Sequence, residues 1–245
     1  MNIFFEIHKD LPREGPGDSQ STQQALSLLK SLPPNPMILD IGCGPGQQTL
    51  DLATYTYGKI IAIDTHQPFL DQIQRVIETR ELTERIQVMN ASMFDLKFPE
   101  HSFDILWSEG AIYIIGFEQG LKAWRPLLKP GGYLAVTEIS WIKPAPPGEL
   151  ANYWKAEYPG MQTIEENLKT LRTANYREVG HFSLPSSSWW TKYYTPIEER
   201  LPLLRKKFRY DPEALGCLDA TQKEIDLYKK YSEWYGYVFY VAQAS

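Results

Sequence analysis

The chain has 245 residues, of which 43% are hydrophobic and 22% are charged, and its formal net charge is −5. This composition is typical of a single folded domain, and no apolar run reaches the eighteen or so residues of a membrane-spanning helix. A net negative chain has no overall positive field to attract nucleic acid, and the first residues lack the features of a secretory signal. We therefore expect a cytoplasmic protein without nucleic-acid or membrane partners. Cys43 and Cys217 are too far apart in sequence to indicate a metal site or a disulfide framework.

The first 36 residues predict a loop followed by a helix. The stretch LPREGPG, residues 11–17, is rich in Pro and Gly and is therefore expected to be a loop. Asp18 or Ser19 is suited to cap a helix through QQALSLLKSL, which the prolines from Pro33 onward end.

Short apolar strands alternate with helical segments over residues 37–140. Gly131 and Gly132 are expected to turn the chain into the last of these strands. Alternation of this kind predicts βαβ units and a parallel sheet with helices on both faces. The predicted strands are 37–41, 59–64, 85–90, 103–108 and 133–140, and a helix is predicted at 116–128.

Residues 141–245 differ in composition from the preceding part, with a Pro-rich loop and many aromatic side chains. The aromatic enrichment predicts either a pocket wall or a late-sequence core. We expect a single domain over residues 1–245, in which this part carries the substrate side. Helices are predicted at 149–158, 163–174 and, as a pair, within 196–233, and strands at 176–185 and 235–243.

The strongest motif is DIGCGPG, residues 40–46, between the first strand and its helix. Glycines let backbone N–H groups approach a ligand, and the helix N-terminus adds a partial positive charge. Gly42, Gly44 and Gly46 depart from the G-x-G-x-x-G spacing of nicotinamide enzymes. Asp40 would oppose a pyrophosphate and instead suits a cofactor with a cationic amino group. Asp64 ends the second strand, where a carboxylate can accept hydrogen bonds from both ribose hydroxyls.

These residues resemble the motifs of the class I S-adenosylmethionine-dependent methyltransferases over roughly residues 36–140. DIGCGPG is similar to their first motif, IIAID to their acidic second strand end, and NASMFDLKFPEHSFDILWS and LLKPGGYLAVTE to the later segments. The resemblance implies an α/β fold, with a Rossmann-like, doubly wound, mostly parallel seven-stranded sheet and an antiparallel last strand. It also implies an N-terminal lid helix and a C-terminal helical insertion between the last two strands.

Carried over to this sequence, the resemblance implies S-adenosylmethionine as cofactor, with S-adenosylhomocysteine as product. Asp64 would bind the ribose of the cofactor. Thr65, Ser92 and Met93 would border the adenine. Ser108, Glu109 and Gly110 would face the sulfonium. The methionine end would be held by Asp40, Gly42, Cys43, Gly44 and Gly46.

Two further stretches, LPREGPGDSQST and LWSEGAIYIIGFEQGLKAW, resemble a bacterial subgroup of small-molecule methyltransferases whose substrates are unassigned. In such proteins the N-terminal segment would fold over the cofactor as a lid. Phe4, Phe5 and residues 15–17 are the candidates for that role here; an ordinary entry loop is the alternative.

Methyl transfer from a sulfonium is an in-line displacement that needs alignment and a dry site more than a fixed catalytic set. Glu109 and Tyr113 are candidate catalytic residues, and Glu138 is a further candidate base. Four aromatic residues are candidates for an acceptor pocket: Tyr113, Trp141, Trp154 and Tyr158. Each of them is also compatible with core packing.

Other functions remain open at the level of sequence. A domain that binds the cofactor without turnover, or an NAD(P)-dependent oxidoreductase, are the alternatives to methyl transfer to a small molecule. The exposed-looking aromatic residues of the C-terminal part are also compatible with a homodimer interface. The sequence predicts no metal site.

Overall fold

The computed structural model describes residues 3–245. The first half contains the alternation that the sequence predicts, preceded by two short helices. Its helices are α1 (Ile3–His8), α2 (Ser19–Ser27), α3 (Gln47–Tyr55), α4 (Gln67–Thr79) and α5 (Phe117–Trp124). Its strands are β1 (Met37–Ile41), β2 (Lys59–Asp64), β3 (Ile86–Asn90), β4 (Phe103–Ser108) and β5 (Leu128–Trp141).

The second half adds a helical layer and two long antiparallel strands. Its helices are α6 (Gly148–Glu157), α7 (Ile164–Thr173), α8 (Ser186–Trp189), α9 (Thr195–Lys207) and α10 (Pro212–Tyr231). Its strands are β6 (Gln162–Thr163), β7 (Tyr176–Ser183) and β8 (Tyr235–Ala244). The predicted helical insertion between the last two strands is confirmed, since α8, α9 and α10 all lie between β7 and β8.

The sheet has the order β3-β2-β1-β4-β5-β8-β7. β1 to β5 are parallel, and β8 runs antiparallel to both β5 and β7. The predicted mostly parallel sheet is thus confirmed, with one addition, because the two-residue β6 pairs with the end of β5 as an eighth strand. The strand order reverses between β1 and β4, and a crevice therefore opens at their carboxyl ends.

Strand β5 begins earlier than the sequence predicts. Residues 131 and 132 were expected to form a turn before the strand, but they lie inside it. Gly131 takes a φ of +73°, which it adopts without a Cβ penalty, and the register against β4 shifts between Phe103 and Ile105. The strand therefore absorbs the glycines as an irregularity and continues, where the sequence alone suggested a break.

Successive strand side chains bury into two separate cores on opposite faces of the sheet. Ile38 of β1 packs with Leu50 of α3 and Ile73 of α4 on one face, while Leu39 packs with Leu121 of α5 on the other. The helix after the N-terminal loop ends at Ser27, earlier than the prolines that were expected to end it. No helix within residues 3–245 is long and apolar enough to cross a membrane.

Helix α1, which contains the lid candidates Phe4 and Phe5, docks on the C-terminal insertion. Arg200 of α9 donates a hydrogen bond to the carbonyl oxygen of Ile7 at 2.7 Å, and Lys207 forms an ion pair with Glu6 at 2.6 Å. These contacts join the N-terminal helix to the helical insertion between β7 and β8.

Candidate functional site

The loop after β1 is held against the end of β2 by its backbone. The N–H groups of Gly42 and Cys43 both donate to the carbonyl oxygen of Ile63 at 2.9 Å. The N–H group of Gly46 donates to the carbonyl oxygen of Cys43 at 3.0 Å. Gly42, Gly44 and Gly46 have φ values of +74°, +52° and +92°. This left-handed backbone favours glycine, which explains the motif at its three glycine positions.

Two of these glycines also lack room for a side chain. A Cβ at Gly42 would lie 2.5 Å from the Cβ of Ala111, and a Cβ at Gly46 would lie 2.0 Å from Cδ1 of Ile73. Gly44 instead faces Glu14, whose Cγ would be 3.5 Å away. The backbone of the loop therefore packs directly against the segment after β4 and against α4. Gly44 lies close to the N-terminal segment.

A cleft opens above this loop at the carboxyl ends of β1, β2 and β4, and we call it the glycine-loop cleft. Its walls include most of the site residues that the sequence suggested. These are Gly42, Cys43, Gly44, Asp64, Thr65, Ser92, Met93, Glu109, Gly110 and Tyr113. Four of the five lid candidates also line it, namely Phe4, Phe5, Gly15 and Pro16, whereas Gly17 does not.

Three predicted contacts lie behind the cleft wall. Asp40 is fully buried, and its Oδ2 accepts a hydrogen bond from Thr49 at 2.5 Å. Burial, together with the charge of Glu109, raises the pKa of Asp40 to about 7. Ser108 is also fully buried and donates to the carbonyl oxygen of Ile41 at 2.8 Å. Gly46 packs on α4. In this structure, therefore, these residues shape the loop and do not line the cleft.

Asp64 is fixed at the end of β2 by two backbone donors. Its Oδ2 accepts from Gly44 N–H at 2.9 Å, and its Oδ1 accepts from His66 N–H at 2.8 Å. A carboxylate offers about four lone-pair sites, so both oxygens retain capacity to accept further hydrogen bonds in the cleft. This arrangement fits a pair of vicinal hydroxyl groups.

Beyond Asp64 the cleft wall becomes aromatic. Phe5 stacks on His66 with ring centroids 3.6 Å apart and planes within 6°, and Phe69 meets His66 edge-on at 4.4 Å. On the opposite side, Trp124 donates from Nε1 to the carbonyl oxygen of Met93 at 3.1 Å and so fixes that segment. A planar base fits between these walls.

Glu109 was expected to be a candidate base, and its contacts do not support that role. Its Oε2 accepts from Arg13 at 2.6 Å, and its Oε1 accepts from Thr22 at 2.8 Å and from Trp107 at 2.9 Å. Arg13 also pairs with Asp51 at 3.0 Å. These donors all belong to the protein and hold the Glu109 side chain in place. Glu109 is therefore better described as the anchor of the N-terminal loop.

Arg13 and Glu14 were not identified from the sequence, although two adjacent charges inside a Pro- and Gly-rich loop are a usable signal. Glu14 lines the glycine-loop cleft, and neither of its shielded carboxylate oxygens has a hydrogen-bond partner among the described residues. Burial, reinforced by the charge of Asp64, raises the pKa of Glu14 to about 8. A buried carboxyl without a partner is costly, and a cation in the cleft would relieve that cost.

A second cavity adjoins the cleft, and we call it the aromatic cavity. It shares Phe4, Glu14, Gly15, Pro16, Gly110 and Tyr113 with the cleft. Its remaining wall brings Trp154 and Tyr158 together with Trp189, Tyr193 and Tyr237, the last three of which the sequence did not single out. Trp141, the other predicted pocket residue, lies away from it and packs edge-on against Tyr235 at 6.5 Å.

Glu138 lies behind the aromatic cavity. It is 1% exposed, and burial raises its pKa to about 8, opposed by a hydrogen bond with Tyr158. Burial beside Glu138 also raises the pKa of the Tyr158 hydroxyl. Glu138 therefore does not line the cavity itself, and its link to the cavity wall is the contact with Tyr158.

Comparison with known proteins agrees with this geometry. Residues 38–132 match a family model described as a methyltransferase domain. An uncharacterised methyltransferase of Schizosaccharomyces pombe is 28% identical over 47% of this chain and 44% of its own length, so the chain matches less than half of that relative. The 27-O-demethylrifamycin SV methyltransferase of Amycolatopsis mediterranei is 25% identical over 84% of this chain and 76% of its own.

A solved structure has the same fold over its full length. The methyltransferase of Thiobacillus denitrificans, crystallised with S-adenosylhomocysteine, superposes with a TM-score of 0.84 at 19% identity, covering 100% of this chain and 99% of that chain. The fold is thus Rossmann-like, with the glycine-loop cleft at the carboxyl ends of its parallel strands. The match to the methyltransferase domain covers residues 38–132, which include the glycine loop and Asp64.

The residues of the cleft fit S-adenosylmethionine, the cofactor that the sequence motifs imply. The cofactor carries a sulfonium and an α-amino group, and the unpartnered carboxyl of Glu14 is suited to such positive charge. Asp64 suits its ribose hydroxyls, and the pocket between Phe69 and Met93 suits its adenine.

Proposed function

We propose that this protein transfers a methyl group from S-adenosylmethionine to a small-molecule acceptor bound in the aromatic cavity. The observation that carries the proposal is the wall common to the two cavities. Glu14, Gly110 and Tyr113 border both the glycine-loop cleft and the aromatic cavity. A cofactor in the first and an acceptor in the second would therefore meet at these residues.

Each wall has a distinct task in this proposal. Asp64 would hold the ribose, Gly42 to Gly44 the methionine portion, and Thr65, Ser92 and Met93 the adenine. When bound, the cofactor supplies an electrophilic methyl group, so the protein contributes alignment and exclusion of water. The N-terminal segment would exclude water from above, because Arg13 holds it to the end of β4.

The two alternative functions have less support. A nicotinamide cofactor would bring a pyrophosphate to the glycine loop, where the carboxyls of Glu14 and Asp64 would oppose its charge. Gln47 also occupies the position after Gly46, where the nicotinamide fingerprint has its third glycine. A protein that binds the cofactor without turnover would not need an aromatic cavity that adjoins it.

Calorimetric titration with S-adenosylmethionine, S-adenosylhomocysteine and NADH tests the proposal. We expect the first two ligands to bind and NADH not to bind. The variant Asp64→Ala should weaken cofactor binding by about a hundredfold, since it removes a hydrogen-bonded charge. The exposed Asp71→Ala on α4 is the matched control and should leave binding unchanged.

Turnover is tested with cofactor carrying a labelled methyl group and a panel of small amines, alcohols, phenols and carboxylic acids. Transfer of label to any of them, lost in Asp64→Ala, supports the proposal. Binding of NADH alone, or cofactor binding without transfer to any acceptor class in the panel, would overturn it.

A further inference from the structure

The aromatic cavity is lined by acidic side chains. Three carboxyl groups line it, those of Glu14, Glu157 and Glu224, and the described residues of its wall include no Lys, Arg or His. Glu157 lies at the exposed mouth, whereas Glu14 lies at the junction with the glycine-loop cleft. Carboxyl groups are therefore distributed along the cavity from its entrance to the wall at which methyl transfer would take place.

None of these three carboxyls forms an ion pair with the described residues, and burial acts on two of them. Glu224 Oε1 accepts a hydrogen bond from the Tyr194 hydroxyl at 2.7 Å, and both oxygens of Glu14 are unpartnered among the described residues. Burial raises the pKa of Glu224, as it raises that of Glu14. Carboxyls in this state gain most from a ligand that brings the missing positive charge.

The rest of the wall also suits a cation. Tyr113 and Tyr158 meet edge-on with centroids 6.1 Å apart, and Trp189 lies 5.4 Å from Tyr237. Aromatic faces attract ammonium groups, most strongly when the site is desolvated. Trp189 is 2% exposed, so this part of the wall is shielded from solvent.

We propose that the methyl acceptor is an amine that enters the aromatic cavity as a cation and carries no phosphate or carboxylate group. The inference rests on the proposed function and deepens it, since it specifies the class of acceptor. An anionic group on the acceptor would meet three carboxyls and no cationic side chain in the described wall, and that arrangement disfavours it.

The chemistry requires the amine to lose a proton before it reacts. Glu14 accepts that proton, and the freed nitrogen lone pair then forms a bond to the methyl carbon. The bond between that carbon and the sulfonium sulfur breaks, and its electron pair remains on the sulfur as the neutral thioether of S-adenosylhomocysteine. The methylated nitrogen carries the positive charge. Glu14 is suited to this step because it borders both cavities and neither of its carboxylate oxygens has a hydrogen-bond partner among the described residues.

Four matched probes test the inference by calorimetry, on the free protein and on the protein saturated with S-adenosylhomocysteine. They are benzylamine, benzyltrimethylammonium, benzyl alcohol and 4-(aminomethyl)benzoate. We expect the two cations to bind at least about tenfold more tightly than benzyl alcohol. The amine that carries a carboxylate should bind no better than the alcohol. Benzyltrimethylammonium has no nitrogen lone pair to accept a methyl group, so its binding reports on the cavity independently of turnover.

The variant Glu224→Gln keeps an oxygen for the Tyr194 hydroxyl and removes the charge. It should lower the affinity for both cations about tenfold and leave that for benzyl alcohol unchanged. Asp226→Asn, on the same helix but at an exposed position outside the cavity, is the control. Thermal unfolding of both variants verifies that they are folded.

Equal affinity for benzylamine and benzyl alcohol, or a cation preference that persists in Glu224→Gln, would overturn the inference. The two proposals fail in distinguishable ways. If labelled methyl is transferred to a neutral alcohol or phenol, and the cavity binds charged and neutral probes equally, the proposed function stands. The inference that the acceptor is an amine is then wrong. Failure to bind S-adenosylhomocysteine would remove the proposed function, while the free protein would still report the charge preference of the cavity.

Discussion

Arg13 Nη1 lies 2.6 Å from Oε2 of Glu109, and both side chains are almost completely buried. Because Glu109 follows β4 directly, this ion pair joins the N-terminal loop to the carboxyl edge of the sheet. The same guanidinium group reaches Asp51 on α3 at 3.0 Å. One arginine thus positions the segment that covers the glycine-loop cleft.

Replacing Arg13 should destabilise the fold strongly. Arg13→Met leaves Glu109 and Asp51 as buried charges without a cation, a loss of about 3–5 kcal/mol in the free energy of unfolding. The double variant Arg13→Met/Glu109→Gln should recover part of that loss, since Thr22 and Trp107 can still donate to the amide oxygen. Urea denaturation of the two single variants and the double variant measures this coupling. Strictly additive losses would show that the pair is not coupled.

Gly46 should tolerate substitution much less well than Gly116. Both residues have left-handed backbone, with φ values of +92° and +88°. A Cβ at Gly116 meets nothing within 4 Å, whereas at Gly46 it meets Ile73 at 2.0 Å. Gly116→Ala should cost about 1–2 kcal/mol of backbone strain, and Gly46→Ala about 1–3 kcal/mol more from overpacking. Equal losses in denaturant titrations would contradict the steric explanation.

Stability should fall as the pH rises from about 5 to about 8. Glu138 has a pKa of about 8 in the folded protein and an ordinary value near 4.5, so the folded state binds more protons between these pH values. The free energy of unfolding therefore decreases with pH in this window, by at most about 1.4 kcal/mol per unit for each such group. Asp40 and Glu14 act in the same direction.

Glu138→Gln isolates one contribution to this slope. The amide does not titrate, so the decrease in stability between pH 5 and pH 8 should become shallower. Glu118→Gln, at an exposed position on α5, should leave the slope as it is in the unmodified protein. Denaturant titrations across this range provide the measurement, and an unchanged slope in Glu138→Gln would remove Glu138 as its source.

Cofactor binding near pH 7 should release a proton from Glu14. The charges that act on this carboxyl are Asp64, which raises its pKa, and Arg200, which lowers it. A bound sulfonium and amino group would lower this raised pKa of Glu14, so we expect release of up to about one proton. S-Adenosylhomocysteine, which lacks the sulfonium charge, should release less.

Calorimetry in buffers of different ionisation enthalpy measures this release. Glu14→Gln cannot ionise and should abolish it, whereas Glu118→Gln should not change it. Release of the same size in Glu14→Gln would mean that another group supplies the proton.

The sequence predicted the elements of the first half because their signals are local. A glycine loop between a buried strand and a helix, or an acidic residue at a strand end, is specified within a few neighbouring positions. Residues 131 and 132 show where local reasoning fails, since glycines that normally break a strand lie within β5, at the irregularity in its pairing with β4. Helix α1 likewise contacts Arg200 and Lys207, which lie about two hundred residues further along the chain.

The sequence by itself determined the α/β alternation, the glycine loop and the acidic end of β2, because each depends on backbone conformation and short-range patterning. Only the tertiary structure decided the roles of Glu109 and Asp40 and the composition of the aromatic cavity. Arg13 and Glu109 are separated by 96 residues, and the cavity gathers side chains from the N-terminal segment, α6, α8, α10 and β8. Contacts of this kind depend on packing between distant segments, which periodicity and motif spacing do not encode.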